Sequence, residues 1–496
     1  MTKIFKYLAM LFAVALLLPA CKKTEVIELA PEFSLDALNN PSNIDQVEQV
    51  LAGTYSGFRN GNYYGSGSGT GAGWTMMPDV MSDNLYETLE SLANSRAMAD
   101  FTFTTNTGQV NTFWGAPYSV IAGANLVLRD IDKFTNANTQ LRANRLKGQA
   151  YIIRALAHFD LFRYFAVKYD RASTTDLAIP YSKEFVVSVE AKPTRPTNKE
   201  FYDNLFDDIS KGIALLQNID KPINSSSALT RPYLDLTAAY ALQARVNLYA
   251  GDFATAETAA SNAIAARPLV NLNQAAFSGM YNQTSSGEII WNVQFESGQS
   301  GPTFLVFFAT NNRSYFRPAL EIATTSGTSG LIRNNDIRYS AYFSTIGGGL
   351  AVTKYKGKNG VSDGNANAIP FRTGEMYLIR AEARARQGGA KEALGMADLN
   401  ALRAARINGY VPEALTGTAL LTAIADERRR ELVAEGHRFF DLKRTTRTIT
   451  RGSTCGNTAL SSAGTCSLSA TAREWALPIP ELVRNANGNL TQNPGY

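Results

Sequence analysis

The chain has 496 residues and a formal net charge of +5; the first 20 residues carry two lysines and no acids, so the rest carries +3. A chain this near charge balance offers neither a basic stripe for nucleic acid nor an acidic tail. Its two histidines, His158 and His437, lie far apart, and no His/Cys cluster has zinc-ligand spacing, so neither a transition-metal enzyme nor a cofactor is expected.

At the start, Lys3 and Lys6 precede an apolar run from Leu8 to Leu18 that leads into Pro19-Ala20-Cys21. A basic segment, a short apolar core and a small residue before the cut describe a secretory signal over residues 1–20. The run is too short to cross a bilayer, which takes roughly 20 apolar residues. A cysteine at the cut resembles the lipobox of bacterial lipoproteins, and this resemblance implies acylation of Cys21, with several fatty chains holding the mature protein on a membrane. With Cys21 so used, Cys455 and Cys466 remain, close together in a Ser/Gly/Thr-rich stretch of an exported chain. They are candidates for a disulfide that stiffens a surface loop.

Residues 21–42 read as a tether, and residues 43–496 as one folded body. Ser42-Asn43-Ile44-Asp45 starts a helix carrying Val47, Val50, Leu51, Tyr55 and Phe58 at spacings of three and four. The glycine and serine run from Gly61 to Gly73 is a loop. Periodicity predicts further helices over about 109–134, 140–165, 198–217, 231–249, 252–266, 372–387, 390–404 and 418–440. Between 267 and 371 the pattern fades, leaving strand-like pieces such as Glu288–Val293 among Ser, Thr, Asn and Gly.

Two of the helix pairs repeat a spacing. Ala244, Gly251 and Ala256 are separated by the same steps as Ala381, Gly388 and Ala393, with glycine at the turn and small residues where two antiparallel helices approach. This is the pattern of the tetratricopeptide helical hairpin. The expected fold is therefore mainly α, a frame of tetratricopeptide-like hairpins around a long loop-rich segment with a few short strands.

The sharpest motifs are C-terminal. Asp426–Leu432 runs into Glu435-Gly436-His437-Arg438-Phe439-Phe440-Asp441-Leu442-Lys443-Arg444, and the chain closes with Leu477-Pro478-Ile479-Pro480 and Gln492-Asn493-Pro494-Gly495-Tyr496. With Arg154-Ala155-Leu156, Phe159-Asp160-Leu161 and the two hairpins, these resemble the SusD/RagB family of outer-membrane nutrient-binding lipoproteins. The resemblance implies a non-enzymatic surface protein that sits over a TonB-dependent, SusC-like transporter and passes it glycans, or sometimes peptides. A structural lid for the transporter and a glycoside hydrolase are the competing readings.

A hydrolase would need a carboxylate pair. On a helix with roughly 100° per residue, Leu421, Ile424, Leu432 and Phe439 share a stripe with Arg428 and Glu435. Charges on an apolar face must be paired, so a buried Arg/Glu network is expected there and His437 is placed on the opposite side. Sugar binding without catalysis needs flat aromatic faces beside hydrogen-bonding side chains, on loops held by a rigid frame. Trp74, next to the glycine-rich loop and followed by Asp83, Asn84 and Tyr86, suits such a platform. Trp291 and the run Asn311–Arg317, with Tyr315 and Arg317, are further candidates, as are Tyr63 and Tyr64. Trp114 and Trp475 are expected in the core.

Overall fold

The computed structural model describes residues 40–66, 73–186, 191–225, 229–296, 299, 301–302, 307–308, 313–460 and 464–496. Residues 1–39, which hold the expected signal, Cys21 and all but the last three residues of the expected tether, lie outside them, as do Asn311 and Asn312. None of the described helices is long and apolar enough to cross a membrane.

Helix α1 (Ile44–Gly57) starts as predicted, with the Asn43 side chain accepting the Gln46 amide at 3.0 Å. It buries Val47, Val50 and Leu51 against α2 (Gly108–Asp130). The next helix, α3 (Gln140–Phe165), is buried on nearly all sides over its second half, which makes it the central core element rather than an amphipathic one. Helix α4 (Asn198–Leu216) begins at a capping box of Thr197 and Glu200. It packs closely on α3 because Gly148 and Gly212 face each other: a Cβ at Gly212 would lie 2.6 Å from Ile152 Cδ1.

Helices α5 (Leu236–Ala250) and α6 (Phe253–Ala266) form the first expected hairpin, turning at Gly251 with φ +75°. After α7 (Gln274–Asn282) and the small ladders of the middle segment, α8 (Ile337–Tyr342) leads on to α9 (Thr373–Gln387) and α10 (Ala390–Ala404), the second hairpin. Its turn is Gly388-Gly389, both at positive φ. The two hairpins pack through α6 on α9, so the frame is continuous. One detail of the repeat differs. Ala393 faces solvent, and the close approach is made at Gly395, where a Cβ would lie 2.8 Å from the Ala381 carbonyl oxygen.

The middle segment carries short antiparallel pairs. Strand β1 (Leu85–Glu87) pairs out of sequence with β5 (Phe316–Pro318), β2 (Ile289–Val293) with β8 (Ala368–Arg372), β3 (Phe307–Phe308) with β4 (Arg313–Ser314), and β6 (Phe343–Ile346) with β7 (Gly349–Val352). Helices α7 and α8 inside this region are too short for the periodicity that sequence reading relies on. Cys455 and Cys466 are joined by a disulfide.

The predicted 418–440 helix is two helices. Helix α11 (Gly417–Glu431) stops, Ala434 and Gly436 take φ of +60° and +80°, and α12 (Arg438–Arg444) follows. The break makes room for Trp74, whose carbonyl oxygen would lie 2.6 Å from a Cβ at Gly436. His437 is thereby turned inward and is 3% exposed, not on an outer face. The Arg/Glu network exists, but with partners the single-helix geometry could not give. Glu431 accepts from Arg338, Arg372 and Arg406, Glu427 from Arg338, Arg403 and Arg430, and Glu435 from Arg372 and Lys354. Arg428 pairs instead with Asp441. The closing motifs lock this end to the core: Gln492 hydrogen-bonds both backbone groups of Ile479, and Asn493 donates to the Phe165 and Leu477 carbonyls.

Candidate functional site

The β1–β5 ladder brings the Trp74 region and the 313–318 segment side by side, with Tyr86 directly opposite Arg317. Juxtaposition, however, does not make every candidate a contact residue. Trp74 is 2% exposed and is enclosed by Tyr63, Phe113 and Tyr164 at ring distances of 5.4, 5.6 and 4.4 Å. It anchors the loop to the frame and has no free face for a sugar. Trp291 is fully buried against Phe58 and Tyr64, its indole N–H donating to the Pro232 carbonyl at 3.1 Å. Tyr63 and Tyr64 are buried too, both hydroxyls donating to Asp160.

The polar cluster after Trp74 is likewise committed. Asp83 takes a bidentate pair from Arg438 at 2.7 and 2.9 Å and a further contact from Arg429. Asn84 donates to Asp79 at 2.7 Å and accepts from Arg429 at 2.9 Å. These are the acceptors that the arginine-rich C-terminal motif requires, and they bind the two ends of the chain together. Arg317 lies over Gly349, donates to the Leu350 carbonyl at 3.1 Å and stands 3.7 Å from Glu90. Tyr315 is 8% exposed.

Tyr86 is the exception. It is half-buried rather than buried, burial raises its phenol pKa above the ordinary value, and among the described residues its hydroxyl has no partner. Its cross-strand partner Arg317 stands 3.7 Å from Glu90, and Tyr86 adjoins the disulfide-closed loop around Arg451, whose guanidinium donates to the Ser82, Thr465 and Ala99 carbonyls. A cavity of only about 10 Å³ lies under this face, so it can act as an open platform and not as an enclosed pocket.

Sequence reading passed over a second concave region. A groove of about 240 Å³ lies along α1, and a neighbouring one of about 170 Å³ shares Ala52, Tyr55 and Tyr233 with it. Tyr233 is 40% exposed. The buried Trp291 forms part of the floor, so that candidate fell near this groove without reaching the surface. A larger hollow of about 800 Å³ lies between Trp114, Tyr118, Tyr181 and Leu490. There both tyrosine hydroxyls are used internally, by the Pro180 carbonyl and Asp208, and the exposed lining is mainly apolar.

Glu427 and Glu431 of α11 are held ionised and do not suit the role of proton donor. Burial alone would raise their pKa, but Arg338, Arg430 and Arg403 hold Glu427 at about 2, and Arg406, Arg372 and Arg338 hold Glu431 well below the carboxylate range. No group of three or more His, Cys, Asp or Glu among the described residues could hold a metal ion.

Comparison with known proteins agrees with this architecture. The family described as "SusD family" matches residues 306–496, and that described as "Starch-binding associating with outer membrane" matches residues 36–248. The SusD-like protein P38 of Formosa agariphila is 23% identical, the alignment covering 90% of this chain and 93% of the relative. A solved putative sugar binding protein from Bacteroides vulgatus superposes with a TM-score of 0.75 at 26% identity, over 92% of this chain and 99% of that one. The surface glycan-binding protein A of Bacteroides fluxus superposes with a TM-score of 0.71 at 18% identity, over 92% and 100% of the two chains.

Proposed function

Because the chain belongs to the SusD family, we propose that it is a cell-surface lipoprotein that binds an oligosaccharide and delivers it to a partner TonB-dependent, SusC-like transporter. Cys21 carries the lipid, the tether over 21–42 lifts the body from the outer membrane, and the chain performs no catalysis on its ligand. Similarity to a sugar binding protein and to a surface glycan-binding protein supports glycan over peptide.

The observation that carries the reading is the β1–β5 pairing, which holds Tyr86 half-buried opposite Arg317 with its hydroxyl unpartnered among the described residues. An aromatic face stacks on the apolar side of a pyranose ring, and a free hydroxyl meets the ring's own hydroxyls. Because the surrounding groups are already hydrogen-bonded to one another, binding costs little reordering.

The test is a Tyr86→Ala variant titrated with the glycan the wild type binds. Affinity should fall at least about fivefold, the roughly 1 kcal/mol of a contributing contact residue. An unchanged affinity removes Tyr86 from the site. Co-purification of a transporter with a wild type that binds no glycan would favour the structural-lid reading instead.

A further inference from the structure

We propose that the paired groove along α1 is a second saccharide subsite, taking a neutral sugar on the ring of Tyr233; this rests on the glycan-binding reading and places an additional contact well away in sequence from Tyr86. The argument starts from how firmly that ring is presented. Asn224 accepts from the Tyr233 amide and donates to its carbonyl, the neighbouring Leu234 amide donates to the Tyr55 hydroxyl at 3.0 Å, and Arg231 exchanges hydrogen bonds with Asn292 at 2.6 and 3.0 Å. Trp291 holds the Pro232 carbonyl from below. A segment pinned on every side by backbone hydrogen bonds nonetheless leaves a large aromatic side chain 40% exposed. Tyr55 stands edge-on to it, with ring centroids 5.1 Å apart and an interplanar angle of 81°, and the Tyr55 hydroxyl is already donated to Gln149. Tyr55 is therefore the wall, and Tyr233 is the platform with its own hydroxyl unpartnered among the described residues.

The polar lining decides the ligand class. Arg59 is half-buried, and its guanidinium makes no ion pair or hydrogen bond among the described residues. Glu296 lies on the same groove, holding Gln294 at 2.9 Å. In the adjoining hollow Glu48 is neutralised by Arg145. An open guanidinium, an open carboxylate edge and an amide beside one aromatic face supply donors and acceptors for neighbouring hydroxyls. Charges of both signs disfavour a polyanionic glycan. The combined space is at the low end of the roughly 300–1,000 Å³ seen for small-molecule clefts, which fits one or two sugar rings.

The experiment titrates the full lipoprotein in detergent with maltoheptaose, cellohexaose, xylohexaose and mannohexaose, with an oligogalacturonide as the acidic control and a mixed tripeptide pool as the peptide control. Tyr233→Ala and Arg59→Ala should each weaken binding of the neutral oligosaccharide about tenfold, and Tyr233→Phe by less than twofold, since the ring remains. Both positions are at the surface, and the backbone bonds around Tyr233 do not involve its side chain. If the wild type binds and both variants bind equally well, the subsite is refuted while the glycan reading stands. If only the oligogalacturonide or the peptides bind, the neutral-sugar assignment is refuted. If no oligosaccharide binds the wild type, both readings fall together.

Discussion

His158 shows how much a buried side chain's environment dictates its chemistry. Its Nδ1–H donates to the Arg154 carbonyl at 2.8 Å while Nε2 accepts from the Ser182 amide at 2.9 Å, so only the neutral tautomer satisfies both. Burial, with Arg154 adding repulsion, pushes its pKa down to about 3, and burial with Arg245 and Arg428 pushes that of His437 down as well. Both stay neutral in the folded chain where the unfolded chain would bind protons, so their contribution to stability is full above about pH 6.5 and is lost as pH falls. Asp79 has the opposite sign: burial raises it to about 6, so it gains a proton in the fold before it would in the unfolded chain, which offsets one histidine below that pH. The net expectation is a loss of about 1.4 kcal/mol per pH unit between pH 6 and 5. Urea unfolding at pH 7, 6 and 5 measures it, and a midpoint that does not move over that range contradicts the assignment. At this scale the sequence was misleading about ligand contacts. Trp74, Asp83 and Asn84 look like a sugar site when read as neighbours along the chain, yet their environment is set by Tyr164, Arg429 and Arg438 from distant segments. The available signal was the excess of arginine in the C-terminal motif, which had to find acceptors somewhere.

Among the elements, helices were legible because a 3.6-residue periodicity records which face is buried, and α1, α2, α4, α6, α9 and α10 follow it, while α3, buried nearly all round, was legible from its length. What periodicity does not record is a break that leaves the apolar stripe in place. Leu432 and Phe439 are both buried, but the chain between them turns through two left-handed residues, and Gly436 was its one visible mark. The frame's own close contacts are testable. Gly212 and Gly148 allow α3 and α4 to touch, and Gly212→Ala would drive a methyl group into Ile152. That substitution should cost about 1–3 kcal/mol despite alanine's better helix propensity, because the interface has no room to give. Thermal or urea unfolding of the variant decides it; an unchanged or raised midpoint would show that the two helices are not held as closely as described.

Across the whole molecule, a helical frame of hairpins carries irregular segments whose few exposed aromatic rings are held by rigid backbone. That general arrangement followed from the sequence, through the repeat and the C-terminal motifs. Tyr86 was named from the sequence beside Trp74, but Tyr233 was not, because exposure is a property of the finished packing: Trp74 and Trp291, which drew attention by size, were taken into the core, while Tyr86 stayed half-buried and Tyr233 exposed. The central claim is that those surfaces receive a glycan. It is tested most directly by screening the purified protein against an array of soluble neutral oligosaccharides and following the hits by calorimetry. The account predicts saturable binding to at least one of them, weakened by Tyr86→Ala; an absence of binding across the array would contradict it.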